Sequence, residues 1–132
     1  DAVVHSMAVL DYAPGSFHKG KISSSAPEMA LQLIRTPKII TAIKDRNPGT
    51  FLVGFKLEAG IGRKNLLKRA YVSLIKNNAD SVVANALETV KSPVTHRAYF
   101  MVKTGKIVAE VKGKRLIAKK ILDIIASGVK NG

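Results

Sequence analysis

Three nearly continuous apolar runs, separated by amphipathic segments, constrain the fold of this chain more than any other feature. They lie within Asp1–Tyr12, Phe51–Phe55 and Asp80–Leu87. Such runs are typical of parallel strands that are covered on both faces, because a half-exposed strand alternates apolar and polar side chains. Strands of this kind need helices above and below them. The runs therefore predict an α/β protein with a buried, mostly parallel sheet.

Helices are predicted between these strands and at the end of the chain. The first begins at Thr36 and Pro37, because Thr can cap a helix and Pro is favoured at the first helical position. The second occupies residues 63–78 and the third residues 114–127. The expected apolar faces are Leu67, Ala70, Tyr71, Leu74 and Ile75 in the second helix, and Leu116, Ile117, Ile121, Leu122 and Ile125 in the third.

Antiparallel features complete the predicted fold. Residues 98–103 and 106–111 are expected to form a hairpin around a Thr-Gly turn. Residues 21–25 and 29–35 are predicted to be extended, and the LQLIR sequence in the second segment alternates as in a half-exposed strand. The order strand, helix, strand, helix, strand, hairpin, helix predicts a single α/β domain over residues 1–132. We expect a Rossmann-like three-layer αβα fold with a mostly parallel sheet and a C-terminal hairpin.

The composition limits the classes of function. A chain of 132 residues with 46% hydrophobic content is long enough for one folded domain. It has no cysteine, which excludes disulfides, thiol catalysis and cysteine metal sites and is compatible with a cytoplasmic protein. The three histidines lack metal-ligand spacing, and no apolar run reaches the roughly 20 residues of a membrane span. We therefore expect neither a zinc site nor a membrane partner.

The net charge of +13 favours polyanionic partners, and it is unevenly distributed. Residues 1–60 carry seven Lys or Arg against five Asp or Glu, whereas residues 61–132 carry fifteen against four. On charge alone, nucleic acid, phosphorylated metabolites and an anionic membrane surface all fit. Only 5% of the residues are aromatic, so base stacking has little support. A basic nucleic-acid-binding module is the alternative to a protein that binds phosphorylated small molecules.

A few residues stand where ligands usually bind in α/β sheets. Asp11 ends the first apolar run, and ligands lie beyond the carboxyl ends of parallel strands. Lys19 and Lys21 follow in a loop close enough to share its pocket, although a loop lysine is usually solvated. Gly54 either admits a ligand or leaves room for a packed helix, and Phe55 either stacks on a base or belongs to the core. The sequence has no serine–histidine–acid order, no HExxH motif and no paired carboxylates, so a hydrolase is not expected.

Six sequence pieces between residues 3 and 87 resemble one family, the phosphopantothenate–cysteine ligases of coenzyme A biosynthesis. The pieces are HSMAVLDY, KISSS, LIRTPKII, FLVGFKLEAG, AYVSLIKNNAD and VVANAL, in that order. The likeness is greatest to the monofunctional form of streptococci and related bacteria. It implies a ligase that joins 4′-phosphopantothenate to cysteine, with CTP and Mg²⁺, through an acyl-cytidylate intermediate.

The resemblance also implies site residues by position. The implied nucleotide-binding residues are Met7, Ala8, Asp11, Lys21, Pro37, Lys38, Ile39, Ile40, Phe55, Lys76 and Asn85. Lys21 is also the implied catalytic residue, since a lysine there would neutralise charge developing on the phosphates, whereas Asp11 would accept hydrogen bonds from the base or ribose. The chain departs from the family at Lys38 and Ala86, where members have Asp. Lys76 stands beside a position that is lysine in many members.

The resemblance implies partners and an assembly as well. The partners are phosphopantothenate, cysteine and CTP, and the assembly is a homodimer formed through an antiparallel extension near KISSS and LQLIR; nucleic acid is disfavoured. The glycine-rich N-terminal half of the family, with its GGT and NxSSGxxG segments, is not in this sequence. The chain also begins inside its first strand without a methionine. We therefore expect the C-terminal, nucleotide-binding portion of a longer ligase.

Overall fold

The computed structural model describes residues 1–25 and 27–129, which form two compact units. The larger unit comprises Asp1–Ser6 and the chain from Ile40 onward, and the smaller unit comprises Met7–Ile39. The strands are β1 (Ala2–His5), β2 (Tyr12–Pro14), β3 (Leu33–Arg35), β4 (Phe51–Glu58), β5 (Ser81–Ala86), β6 (Arg97–Val102) and β7 (Ile107–Lys112). The helices are α1 (Ile39–Arg46), α2 (Arg63–Lys76) and α3 (Lys114–Val129), and a single 3-10 turn spans Leu87–Thr89.

The larger unit is built on a five-stranded sheet with the strand order β1-β4-β5-β6-β7. The strands β1, β4 and β5 are parallel, with Val4 beside Val53 and Phe55 beside Val83. The strand β6 runs antiparallel to both of its neighbours, β5 and β7. The remaining strands β1, β4, β5 and β7 therefore all point the same way. The prediction of a mostly parallel sheet with a C-terminal hairpin is confirmed.

Helices cover both faces of this sheet, as the continuous apolar runs predict. On one face Leu52 packs in a cluster with Leu66 of α2, and isoleucines of α1 extend that cluster. On the other face Val53 and Phe100 pack with Ile117 of α3. Because neighbouring residues of a strand point to opposite faces, Leu52 and Val53 are both buried, at 0% and 1% exposure. The three-layer αβα architecture is confirmed.

Gly54 serves the packing of a helix. It lies in the middle of β4, and a Cβ atom at this position would stand 3.3 Å from Cδ1 of Ile40 in α1. Such a distance is tighter than ordinary van der Waals contact, so the missing side chain lets α1 lie close to the sheet. Of the two interpretations of this glycine, helix packing is the one that the structure supports.

The prediction for the first strand is wrong in its length and its burial. The strand β1 ends at His5, and both Met7 and Leu10 lie outside any strand and are exposed. Within the described residues β1 is an edge strand paired only with β4, and Val4 is 43% exposed. An apolar run does not reveal how many neighbours a strand has. Asp11 therefore does not end a strand of the large sheet, and it directly precedes β2 in the smaller unit.

The helices differ from prediction in their boundaries and faces. The helix α1 begins at Ile39, two residues after Pro37. The buried apolar residues are Leu66, Ala70 and Leu74 in α2, and Ile117 and Ile121 in α3. Among the residues predicted to be buried, Tyr71, Ile75, Leu116 and Leu122 are exposed at 40%, 53%, 58% and 66%. The buried positions recur every four residues, so the strip that contacts the sheet is narrower than the apolar face of each helix.

The smaller unit contains little regular structure. Its strands β2 and β3 form a two-stranded antiparallel sheet in which Tyr12 is beside Arg35. Of the residues predicted to be extended, 33–35 form a strand, whereas 21–25 and 29–32 do not. A two-stranded sheet buries little surface by itself, and most residues of both strands are exposed.

Candidate functional site

The ends of β4 and β5 define the carboxyl edge of the large sheet, where ligands bind in open α/β folds. Phe55 lies in the second half of β4, and Asn85 is the last residue but one of β5. Phe55 is half-buried and packs against the apolar cluster between the sheet and α3, which supports a packing role, and its assignment to the nucleotide stays a prediction. Asn85 is 4% exposed, and its carboxamide therefore needs a hydrogen-bond partner inside the protein.

The partner of Asn85 is His96, a residue that no sequence motif marks as part of a site. Asn85 Nδ2 donates a hydrogen bond to His96 Nε2. The Nδ1 atom of the same ring is buried and has no hydrogen-bond partner in the described part of the chain. Burial lowers the pKa of His96, and the charge of Lys114 lowers it further. The lowered pKa favours the neutral ring, and because the amide nitrogen Nδ2 can only donate, Nε2 is the acceptor and the ring proton lies on Nδ1.

Backbone hydrogen bonds hold His96 in place. The His96 carbonyl accepts the Gly113 N–H at 2.7 Å, and the His96 N–H donates to the Ser92 carbonyl at 3.2 Å. The Pro93 carbonyl accepts the Lys114 N–H at 2.9 Å. These bonds occupy the N–H groups of Gly113 and Lys114, where α3 begins.

Charged side chains lie at the same edge. Glu58, at the end of β4, pairs with Lys56 at 3.0 Å and with Arg69 at 2.7 Å. The hydrogen bond from Lys56 is the main cause that lowers the pKa of Glu58, and Arg69 adds to it. Arg63, at the start of α2, lies over the Tyr99 ring, with 5.0 Å between the guanidinium carbon and the ring centroid. These contacts order the cations but offset only part of their positive charge.

In the smaller unit the structure brings two predicted segments together. The Thr36 N–H donates to the Asp11 carbonyl at 3.0 Å, and the Thr36 hydroxyl donates to the Leu10 carbonyl. This pairing places Asp11 beside the segment that begins at Pro37. Lys21 lies in the loop between β2 and β3. The predicted site residues of this unit are all exposed: Met7, Ala8, Asp11, Lys21, Pro37, Lys38 and Ile39.

The remaining predicted residues, Ile40 and Lys76, belong to the larger unit. Ile40 packs against the core over Gly54. Lys76 is the last residue of α2, which leads into the start of β5, so Lys76 and Asn85 lie at opposite edges of the sheet. A lysine in the last turn also complements the helix dipole. The structure does not bring Lys76 to Asn85, and its assignment to the nucleotide stays a prediction.

A cavity of about 520 Å³ lies at the edge opposite the carboxyl edge. It is bordered by Phe51, by the turn between β6 and β7, and by the last turns of α3. Asp80 borders it too and is tied to Lys44 and Lys103 by ion pairs. None of the predicted site residues lines this cavity, so it does not define the candidate site.

Within residues 1–25 and 27–129, no three His, Asp or Glu side chains are grouped so that they can hold a metal ion. Among the helices in these ranges, none has the length and apolar character needed to cross a bilayer. A magnesium ion that arrives with a nucleotide does not need a protein cage, because the phosphates and water supply most of its ligands.

Comparisons with known proteins give one consistent result. Residues 1–129 match the family described as the DNA/pantothenate metabolism flavoprotein C-terminal domain. The chain is 40% identical over 92 residues to the coenzyme A biosynthesis bifunctional protein CoaBC of Thermococcus kodakarensis, which covers 70% of this chain and 23% of that protein. It is 27% identical over 131 residues to CoaBC of Methanocaldococcus jannaschii, which covers 99% of this chain and 32% of that protein.

A solved structure shows the same fold. The DNA/pantothenate metabolism flavoprotein from Streptococcus pneumoniae superposes with a TM-score of 0.82 at 36% identity, covering 96% of this chain and 62% of that one. The chain spans between about a quarter and a third of the length of the curated relatives that it matches.

Proposed function

The chain belongs to the family of DNA/pantothenate metabolism flavoprotein C-terminal domains, and from this membership we propose that it is the nucleotide-binding part of a phosphopantothenate–cysteine ligase. The observation that carries the proposal is the family match over residues 1–129, together with 40% identity to a coenzyme A biosynthesis protein. The six sequence pieces that resemble these ligases all lie inside the matched range.

The proposed reaction consists of two displacements. A carboxylate oxygen of 4′-phosphopantothenate attacks the α-phosphorus of CTP and pyrophosphate leaves, which gives an acyl-cytidylate. The amine nitrogen of cysteine then attacks the acyl carbon, CMP leaves and the nitrogen loses a proton, which gives the amide. Negative charge develops on phosphate oxygens in both steps, so cations held in position lower both barriers.

We assign the main polar roles to Lys21 and Asp11. Lys21 would neutralise charge on the phosphates, and its exposure keeps the ammonium group accessible. Asp11 would accept hydrogen bonds from the ribose or the base, and the hydrogen bond from the Thr36 N–H to the Asp11 carbonyl supports its place beside residues 37–39. The other proposed contacts are Met7, Ala8, Pro37, Lys38, Ile39, Ile40, Phe55, Lys76 and Asn85.

The charge of the chain supports anionic substrates. CTP, phosphopantothenate and the acyl-cytidylate all carry negative charge, and a net charge of +13 attracts each of them. Magnesium would enter with the triphosphate as part of the substrate, bound mainly by phosphate oxygens and water. The proposed assembly is a homodimer formed through the smaller unit, whose exposed apolar side chains include Leu31, Leu33 and Ile34.

Two matched substitutions in one loop test the proposal. Lys19 and Lys21 are both exposed, and Lys19→Gln removes the same charge as Lys21→Gln. We expect Lys21→Gln to weaken CTP binding about tenfold or more in calorimetry with Mg²⁺, because a charge-assisted hydrogen bond contributes about 1.5–3 kcal/mol. Lys19→Gln should change the affinity less than about threefold. Equal losses would contradict the role of Lys21, and no CTP binding by the wild-type chain would contradict the function.

The alternative is a basic nucleic-acid-binding module, which the net charge of +13 favours. It predicts binding of mixed-sequence DNA or RNA that weakens steeply with salt. It also predicts that Lys19→Gln and Lys21→Gln reduce binding equally, because each removes one phosphate contact at most. The contrast between the two lysines therefore separates a nucleotide site from a general attraction to polyanions.

A further inference from the structure

We propose that His96 is a positioning residue that fixes the orientation of the Asn85 carboxamide at the carboxyl edge, so that Asn85 presents its oxygen to the ligand as a hydrogen-bond acceptor. The inference rests on the proposed function, because it takes Asn85 to be part of the nucleotide site. The family resemblance assigns no role to His96.

The hydrogen bond between the two side chains selects one orientation of the amide. The two ends of a carboxamide have nearly the same shape but opposite hydrogen-bonding character. Asn85 Nδ2 donates to His96 Nε2, which leaves the oxygen at the other end of the group. If the amide rotated by half a turn, its oxygen would face a nitrogen lone pair, which is repulsive. With Nε2 as the acceptor, the amide nitrogen of Asn85 faces His96 and its oxygen faces the ligand.

The backbone around His96 makes this acceptor a fixed one. The carbonyl of His96 is bound to the Gly113 N–H at 2.7 Å, at the start of α3. On the other side of the loop, the Thr89 hydroxyl donates to the Ala86 carbonyl at 2.8 Å and accepts the Arg97 N–H at 3.3 Å. The residues on both sides of His96 are thus tied to β5, β6 and α3, and the ring is held beside Asn85.

Packing alone does not explain a histidine at this position. Its Nδ1 atom is buried and has no hydrogen-bond partner in the described part of the chain, which destabilises the fold compared with an apolar side chain of similar size. Burial also lowers the pKa of His96, which keeps Nε2 unprotonated and able to accept. The unpaired Nδ1 atom thus destabilises the fold, whereas the Nε2 atom accepts the hydrogen bond that orients Asn85.

The orientation defines the ligand chemistry that Asn85 recognises. A carboxamide oxygen accepts a hydrogen bond from an N–H or O–H donor on the ligand. In CTP the exocyclic amine of the base and the ribose hydroxyls are such donors, whereas UTP has a carbonyl in place of the amine. Asn85 contacts the base if the loss of His96 lowers the preference for CTP over UTP. It contacts a hydroxyl if both affinities fall together.

The first arm of the test observes the pair directly. The side-chain NH₂ signals of Asn85 in a ¹⁵N–¹H spectrum are identified by their loss in Asn85→Asp. We expect these signals to move strongly in His96→Phe, which has no acceptor, and to stay closer to the wild-type position in His96→Gln, whose amide oxygen can accept. Unmoved signals in His96→Phe would overturn the inference. If His96→Phe does not fold, His96→Leu takes its place.

The second arm measures CTP binding by the whole chain in calorimetry. We expect His96→Phe to lose at least about fivefold in affinity and His96→Gln to stay within about twofold of the wild type. The matched control is Thr95→Ala, which removes hydroxyl contacts to Ser92 at 3.0 Å and to the Thr89 carbonyl at 3.3 Å but leaves His96 in place. It should also stay within about twofold.

The outcomes separate the inference from the proposed function. Equal CTP affinity for the wild type and His96→Phe would overturn the positioning role while leaving the nucleotide site intact. Equal losses in Thr95→Ala and His96→Phe would overturn it too, because a loosened loop would then explain both. No CTP binding by the wild-type chain would overturn the proposed function, and the role of His96 at the ligand with it.

Discussion

Replacing Asp80 with Asn should destabilise the larger unit, because Asp80 joins three elements at the edge opposite the candidate site. Its carboxylate lies 2.7 Å from Lys44 Nζ in α1 and 3.5 Å from Lys103 Nζ after β6. It also accepts the Leu52 N–H of β4 at 2.7 Å. The Lys44 side chain is only 8% exposed, and without the carboxylate its ammonium group keeps the hydrogen bond to the Pro48 carbonyl at 3.3 Å but loses its counter-charge.

The expected loss follows from burial and from the number of contacts. Breaking a fully buried ion pair from one side costs about 3–5 kcal/mol, because the remaining charge is left unpaired. The Asp80 side chain is 20% exposed, and the amide oxygen of Asn can still accept the Leu52 N–H, so we expect about 2–3 kcal/mol. For a chain of 132 residues this corresponds to a fall in Tm of roughly 6–12 °C.

Urea denaturation followed by circular dichroism measures this loss, with Asp123→Asn as the matched control. Asp123 is exposed and forms no ion pair within the described residues, so its substitution should change the free energy of unfolding by less than about 0.5 kcal/mol. The double variant Lys44→Met, Asp80→Asn should be more stable than the sum of the single losses predicts, because no buried charge is left unpaired. A loss below about 0.5 kcal/mol in Asp80→Asn, or strict additivity, would refute this reasoning.

Two further predictions concern the stability of the larger unit. Burial alone would raise the pKa of Asp80, but hydrogen bonds from Lys44 and the Leu52 N–H outweigh it and lower the pKa. The ionised Asp80 therefore stabilises the fold above the unfolded pKa of about 3.9, and this stabilisation is lost as the pH falls through the pKa of the folded state. The melting temperatures of the wild type and Asp80→Asn should therefore converge in acid. A difference that stays constant down to the acid limit would contradict this. Gly54→Val should cost about 1–3 kcal/mol in urea denaturation, since its side chain would overlap Ile40, whereas Gly62→Ala, which has open space around it, should cost less than about 1 kcal/mol. Equal losses in the two glycine variants would contradict the packing role of Gly54.

The interior strands of the larger unit could be predicted because each is buried on both faces. The runs at Phe51–Phe55 and Asp80–Leu87 became β4 and β5, with helices above and below. The first run differs, since β1 lies at the edge and has one neighbour in the described part of the chain. Burial depends on neighbours that a local apolar run does not specify, so an edge strand and a central strand have similar sequences.

A residue of the candidate site could be predicted only where it lies at the end of a strand or helix that the apolar pattern already predicts. Asn85 lies near the end of a clear strand, and it is found at the carboxyl edge. His96 comes from an irregular loop and reaches Asn85 through bonds to α3, which no local spacing encodes. Lys76 shows the reverse case, because the family resemblance suggested it for the site, whereas the topology places it at the other edge from Asn85.

Pyrophosphate release tests the central claim most directly. The chain is supplied with CTP, Mg²⁺, phosphopantothenate and cysteine, with and without a co-expressed glycine-rich N-terminal half of the family. We predict release that depends on phosphopantothenate and appears when that half is present, followed by formation of the amide and CMP when cysteine is added. No release in either sample, from protein shown to be folded, would contradict the assignment of this chain to a phosphopantothenate–cysteine ligase.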